Sequence, residues 1–235
     1  MSSSQRKLKV FTWNIEGIKR NIFSLKDLLK SHSPDLVFLN ETMVFQSDVS
    51  QVLEPIQGEY FFSLNSEDSF DPDLPLLRNH AQGGTMVLWK RSLDPFITTL
   101  QTPSSSFLPI LLNIPGHPQS IHVSLYLPTA GKDSEFLDSL SLLTNLLGSL
   151  DEKYPDSLTF LRGDSNANPK NESRIILFQH FQELLNLKRV PLLHKTYHHF
   201  IGDGLFDSEI DVIMHSADTN TSEEITKIIC MILLK

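Results

Sequence analysis

The stretch LTFLRGDSNANP, residues 158–169, carries an apolar run straight into a polar turn. Leu158, Phe160 and Leu161 read as a strand, and Gly163, Asp164, Asn166 and Asn168 end it abruptly. Gly, Asp, Ser and Asn are the usual turn residues, so a plain turn accounts for the composition. A site for an oxyanion or a metal at the strand end accounts for it as well. That second reading requires other carboxylates and amides elsewhere in the chain to arrive at the same place.

The chain has 235 residues, enough for one large domain or two small ones, and we read it as a single domain spanning 1–235. A chain of this size buries most of the surface that its unfolded form exposes. Its only cysteine is Cys230, so an internal disulfide framework is excluded and a nuclear or cytoplasmic setting is expected rather than secretion. The start, MSSSQRKLKVFTWN, has no apolar core of a signal peptide. No apolar run approaches the roughly 18–20 residues of a membrane span, so no membrane partner is expected. Lys and Arg total 20 against 28 Asp and Glu, a net charge of −8. That balance argues against coating nucleic acid through an overall field, but not against a local phosphate grip.

Short β-like runs recur at 8–15, 35–40, 58–63, 84–89, 107–112, 120–127, 157–161 and 209–214. They are rich in Val, Ile, Phe, Tyr and Thr and bounded by Gly, Pro, Asn or Asp. Helical periodicity appears at 21–31, 134–150 and 172–188. Several strands follow one another with no helix between, which is an α+β order. Two sheets packed face to face with helices outside, a four-layer α/β-sandwich, use all these pieces. Segment 64–82 is the longest irregular stretch.

Polar residues recur where these runs end: Asn14 and Glu16, Asn40 and Glu41, Tyr126, Asp164 and Asn166, with Asp211 inside the run at 209–214. Each has a simpler alternative. Asn14-Ile15-Glu16-Gly17 reads equally well as a strand-to-helix loop, and a lone Glu41 reads as a partner of a helix dipole. Tyr126 alone reads as a half-buried strand residue. Asp211, between Ile210 and Val212, needs a partner if buried.

The ordered combination is more specific than its parts. WN (13–14), LNET (39–42), GG before an apolar strand (83–84), LYLP (125–128), GDSNAN (163–168) and SEIDVI (208–213) occur in sequence. Together they resemble the endonuclease/exonuclease/phosphatase superfamily, which implies a DNase I-like fold. Within it the run KTYHHFIGDGLFDSEIDVIMHS (195–216) looks like the apurinic-like endonuclease domain opening the second open reading frame of non-LTR (LINE-type) retrotransposons.

The resemblance implies roles residue by residue. Glu41 matches the Mg²⁺ carboxylate, with Asn14 and Glu16 beside it and Mn²⁺ as an alternative ion. Asp164 matches the aspartate that orients or deprotonates the attacking water, and Asn166 an amide that contacts phosphoryl oxygens. Tyr126 and Thr196 match groups that contact the phosphate. Asp211 matches the carboxylate that holds a catalytic histidine, while His198 and His199 fall in a loop, solvated or contacting DNA. Implied partners are double-stranded DNA and a reverse transcriptase domain in a parent polyprotein, with the chain itself a monomer. The implied reaction is nicking of target DNA to leave a 3′-hydroxyl.

The family's Ser-Asp-His motif does not follow Asp211. His215-Ser216-Ala217-Asp218 lies too close to it, so either the chain stops before the motif or the terminal CMILLK takes its place. The resemblance therefore predicts a sheet with one open edge and weak or absent activity. The alternatives are a catalytically dead DNA-binding module, or a phosphoesterase of the same fold acting as an apurinic endonuclease or on inositol phosphates or lipids. The two glycines of FIGDGLFD (200–207) suit a protruding turn or, equally, an ordinary hairpin.

Overall fold

Strand side chains alternate between two faces, and that alternation assigns most of the buried apolar residues described to one of three core layers. The computed structural model describes residues 8–78, 81–167, 171–190, 197–201, 204–208, 211–216 and 229–232. The first half contains β1 (Lys9–Asn14), α1 (Ile18–His32), β2 (Leu36–Asn40), α2 (Val49–Leu53), β3 (Tyr60–Asn65), α3 (Leu74–Leu77) and β4 (Thr85–Lys90). After it come β5 (Ile97–Thr99), β6 (Phe107–Leu112), β7 (Ser120–Tyr126), α4 (Asp133–Lys153), β8 (Leu158–Asp164) and α5 (Glu172–Leu184). The remaining strands are β9 (Leu187–Arg189), β10 (Tyr197–Ile201), β11 (Gly204–Ser208), β12 (Asp211–Ser216) and β13 (Ile229–Ile232).

One sheet has the order β13-β1-β2-β4-β3 and the other β5-β6-β7-β8-β12-β9. Phe11, Val37, Leu39, Met86 and Leu88 face outward onto Ile18, Ile22, Leu25 and Leu29 of α1. The alternate residues Val10, Leu36, Phe38, Val87 and Trp89 face inward onto Leu108, Ile110 and Leu112 of the second sheet. On the far side, Ile121, Val123, Leu125, Leu161, Val212 and Met214 meet Phe136, Leu140, Leu143 and Leu147 of α4 and Phe178 and Phe181 of α5. Helix, sheet, sheet, helix is the four-layer arrangement expected from the strand-rich order. Each fully buried Leu, Ile or Phe contributes about 1.5–3 kcal/mol, so these layers dominate the fold's stability.

Several boundaries differ from the sequence reading for identifiable reasons. The third helix stops at Leu184 rather than Lys188, because Asn186 takes a left-handed φ of 49° that no helix accommodates. Leu187–Arg189 then pair with β12 as a short strand. Segment 64–82 is not wholly irregular, since it holds a 3₁₀ turn at Glu67–Ser69 and the single-turn α3. Tyr197–Ile201 and Gly204–Ser208 form an antiparallel pair, the hairpin that its glycines suggested. His198 and His199 therefore lie in a strand, not in a loop. The sheet does not lack a last strand as expected: Ile229–Ile232 pair with β1 in parallel, Lys9 opposite Ile229 through Thr12 opposite Ile232. A β-rich apolar segment meeting unpaired backbone groups is the physical reason. Among the described residues, no helix is long and apolar enough to cross a membrane.

Candidate active site

The same alternation that builds the core also assembles the site. Val10, Thr12 and Asn14 share one face of β1, and Leu36, Phe38 and Asn40 share one face of β2. Asn14 and Asn40 are register partners in this parallel pair, so both reach its C-terminal end together. In the opposite sheet β7 and β8 are also parallel, with Tyr126 level with Asp164. Phe160, Arg162 and Asp164 share the face of β8 that looks toward the first sheet. Four strand ends therefore deliver Asn14, Asn40, Tyr126 and Asp164 to one rim.

Contacts between the two sheets are direct. Asn14 Nδ2 donates to Glu41 Oε1 and to Asp164 Oδ2, each at 3.0 Å. Two carboxylate oxygens that share one amide nitrogen cannot be far apart, and their mutual repulsion favours a cation between or beside them. Asp164 is 2 % exposed and its other oxygen accepts from the Asn166 backbone N–H at 2.8 Å. Asn166 Nδ2 donates in turn to the Leu127 carbonyl at 2.7 Å, so one of its amide hydrogens is committed to holding the rim. Asn40 Nδ2 reaches Ser124 Oγ at 3.2 Å and the Leu125 carbonyl at 2.9 Å, tying the sheets together beneath the site.

Backbone strain concentrates here. Glu16, Glu41, Met43 and Asn166 all have left-handed φ between 46° and 51°. Non-glycine residues adopt that region at a cost of about 1–2 kcal/mol each, so the surrounding contacts must enforce it. They do: Gly17 N–H donates to the Glu41 carbonyl at 2.7 Å and Ile18 N–H to that of Thr42 at 2.9 Å. Thr42 and Met43 N–H donate to the carbonyls of Gly84 and Gly83 at 3.2 and 2.9 Å. Gly84 allows this approach because a Cβ there would stand 2.7 Å from Thr42 Oγ1. Gly163 is as constrained, since a Cβ there would run into the Leu125 carbonyl and lie 2.9 Å from Asn40 Oδ1.

Tyr126 stands against this acidic group, its ring packed on Gly83. Burial, then the Glu41 and Asp164 carboxylates, push its phenol well above the ordinary range. The hydroxyl therefore stays protonated and remains a hydrogen-bond donor. Below the rim, Arg162 Nη1 donates to His122 Nδ1 at 2.5 Å, and this leaves His122 Nε2–H to donate to Ser120 Oγ at 2.9 Å. Burial, reinforced by the Arg162 guanidinium, holds the His122 pKa well below its usual value, so the ring is neutral. The guanidinium lies between the rings of Phe38 and Phe160, 5.2 and 5.0 Å from their centroids.

The donor set fits a hard divalent cation. Glu41 and Asp164 offer carboxylate oxygens, and Asn14 Oδ1 is buried without a hydrogen-bond partner among the described residues. No cluster of three or more His, Cys, Asp or Glu able to hold a metal occurs among the described residues. An ion here would keep part of its water shell, as Mg²⁺ commonly does.

Of the residues singled out in the sequence, Asn14, Glu41, Tyr126, Asp164 and Asn166 meet at the rim. Glu16 lies in the exposed turn between β1 and α1, near enough for its charge to act on Tyr126. Asp211 sits directly opposite Asp164 in the β12–β8 register, although its side chain is outside the described residues. Thr196 lies outside the described residues altogether. His215 pairs with Phe160, four residues down the strand from Asp164 and about 13 Å away, so it does not stand in for the absent histidine. Sequence reasoning passed over Asn40 as a site-building group, and missed Ser124 and Arg162. Their signal was parity, a polar residue on the inward face of a strand with apolar neighbours.

Comparisons with known proteins agree with this fold. The sequence profile described as the Endonuclease/Exonuclease/phosphatase family matches residues 11–196. No curated protein sequence matches the chain significantly. Among solved structures, the AP endonuclease LMAP of Leishmania major superposes with a TM-score of 0.71 at 14 % identity, covering 90 % of this chain and 80 % of that one. The 3′ phosphatase NExo of Neisseria, bound to a product DNA hairpin, gives 0.64 at 15 % identity over 89 % and 86 %. The endonuclease domain of TRAS1, a telomere-specific non-LTR retrotransposon, gives 0.59 at 11 % identity over 89 % and 85 %. The family's hydrolases are typically metal-dependent, and this rim offers two linked carboxylates and a spare amide oxygen where such chemistry needs them. With a matching profile over most of its length and the DNase I-like architecture, the chain belongs to the Endonuclease/Exonuclease/phosphatase family.

Proposed function

We propose that this chain is the endonuclease domain of a non-LTR retroelement, hydrolysing a phosphodiester of double-stranded DNA with Mg²⁺ to leave a 3′-hydroxyl. The observation that carries the hydrolytic reading is the Asn14 amide bridging Glu41 and Asp164 beneath a protonated Tyr126. The retroelement assignment is supported by the TYHHF and SEIDVI runs, and by likeness to the TRAS1 domain.

Each residue has a task that its geometry allows. Asp164 is pinned at both oxygens by N–H donors, so its remaining lone pairs point in set directions, where one can orient a water and accept its proton. The Tyr126 hydroxyl donates to a phosphoryl oxygen as charge develops there. Asn166 has one amide hydrogen left for the same purpose. Glu41 and Asn14 would hold the divalent ion, leaving Asp164 to the water, and the ion when bound supplies electrostatic stabilisation of the phosphoryl oxygens.

Supercoiled plasmid tests this. Wild type with Mg²⁺ should give nicked circles, EDTA should abolish them, and Asp164→Ala should give none. Nicking that persists in Asp164→Ala refutes the assignment. A second reading, DNA binding without hydrolysis, is favoured by the placement of His122 and His215 below the rim. It predicts retained DNA binding with no nicking by the wild type at any Mg²⁺ concentration.

A further inference from the structure

Arg174 lies on α5 and is 1 % exposed, an unusual place for a guanidinium. Burying that charge costs several kcal/mol unless its donors are matched. Here they are matched mostly by backbone. Nη1 donates to the Pro128 carbonyl at 2.6 Å and, more weakly, to that of Asn166 at 3.4 Å. Nη2 donates to the Thr129 carbonyl at 2.8 Å. Nε donates to Asp133 Oδ1 at 2.7 Å, but that carboxylate is 71 % exposed, so the ion pair alone explains little. The guanidinium stands 4.5 Å from the centroid of the Phe136 ring.

These carbonyls belong to the two segments that complete the site. The 127–132 connection leaves β7 directly after Tyr126, and Asn166 lies just past Asp164. Beyond the last β7–β8 register pair, one further backbone hydrogen bond is followed by side chains in place of a strand. Leu127 N–H donates to the Asp164 carbonyl at 2.9 Å, the Leu127 carbonyl takes Asn166 Nδ2, and those of Pro128 and Thr129 take Arg174. One guanidinium fork thus grips the Tyr126 side through two carbonyls and reaches across to the Asn166 side through a third, at 3.4 Å. Docking α5 alone would not require a guanidinium, because an apolar side chain of similar volume fills the same space; what it cannot do is satisfy these carbonyls.

We infer that Arg174 is a positioning residue for phosphodiester hydrolysis, holding Tyr126 and Asn166 at the spacing at which both meet one phosphoryl group. This rests on the hydrolytic reading above. The experiment compares wild type, Arg174→Met and Arg174→Lys by nicking kinetics, thermal melting and amide hydrogen exchange. Arg174→Met should fold cooperatively yet lose about 100-fold in kcat, with KM changed by less than about threefold. Its amides at Leu127 and Asn166 should exchange at least about tenfold faster while β1 and β2 are unchanged. Arg174→Lys keeps the charge without the fork and should fall between the two. Wild-type kcat and exchange in either folded variant overturns the inference, as does faster exchange spread evenly over α5. If wild type itself hydrolyses nothing, the hydrolytic reading fails, and exchange confined to 127–131 and 165–167 still decides whether Arg174 sets the rim.

Discussion

Asn14 of one sheet donates a 3.0 Å hydrogen bond to Asp164 of the other, joining residues 150 positions apart. Both are buried, and the same Asn14 amide also holds Glu41. Removing the donor leaves two neighbouring carboxylates without the group that separates and orients them. Asn14→Ala should therefore lower nicking kcat by about 100-fold, the scale for loss of one preorganised polar group, with the protein still folded by circular dichroism. Activity within about threefold of wild type would remove Asn14 from the site.

Glu41 and Asp164 should separate by their metal response. Glu41→Gln keeps the shape and removes a negative ligand, so the Mg²⁺ concentration for half-maximal nicking should rise by at least about tenfold with kcat partly restored at saturation. Asp164→Asn should lower kcat by about 100-fold or more at any Mg²⁺ concentration, because an amide accepts no proton from water. Identical Mg²⁺ dependence in the two variants would contradict the division of roles.

Two glycines should respond oppositely to alanine. A Cβ at Gly163 meets the Leu125 carbonyl and Asn40 Oδ1, in a backbone conformation that L side chains rarely adopt. Gly163→Ala should cost about 3 kcal/mol or more in urea unfolding. Gly148 sits within α4 with open space around it, so Gly148→Ala should stabilise by about 0.5–1 kcal/mol. A destabilised Gly148→Ala would count against the description of α4.

Acid sensitivity should trace in part to His122. Its pKa is depressed in the folded state by burial and then by Arg162, with Ser120, Phe38 and Phe160 completing its surroundings. The unfolded chain then binds more protons, so the stabilisation is present above about pH 6.5 and is lost as pH falls below it, by up to about 1.4 kcal/mol per pH unit. His122→Gln can still accept from Arg162 but does not titrate. Its unfolding free energy should fall less than that of wild type between pH 7.5 and 5.5, and parallel curves would refute this.

Much of the candidate site was legible because its members end strands. Asn14, Glu41, Tyr126 and Asp164 each follow an apolar run, and a strand end at a shared rim is where a rigid scaffold presents chemistry. Arg174 was not legible. It reads as an ordinary helical residue in ESRIILF, and its three carbonyl acceptors lie up to 46 positions away. Asn40, visible only as a polar end to LVFLN, gained its role from a Leu125 carbonyl 85 positions on.

By itself, the sequence determined most of the local states: the main extended and helical runs, and the polar residues that follow several strands. Its period-two and 3.6-residue patterns are enforced by short-range sterics and by burial of one face. Only the tertiary structure decided that Asn14, Tyr126 and Asp164 face one another, because strand order and sheet packing are set by contacts summed over the whole chain. It also decided that Ile229–Ile232 cover the edge of β1, where unpaired backbone groups accept any suitable strand within reach. For GDSNAN, the turn and the site proved to be one structure: the Asn166 N–H bonded to Asp164 is both.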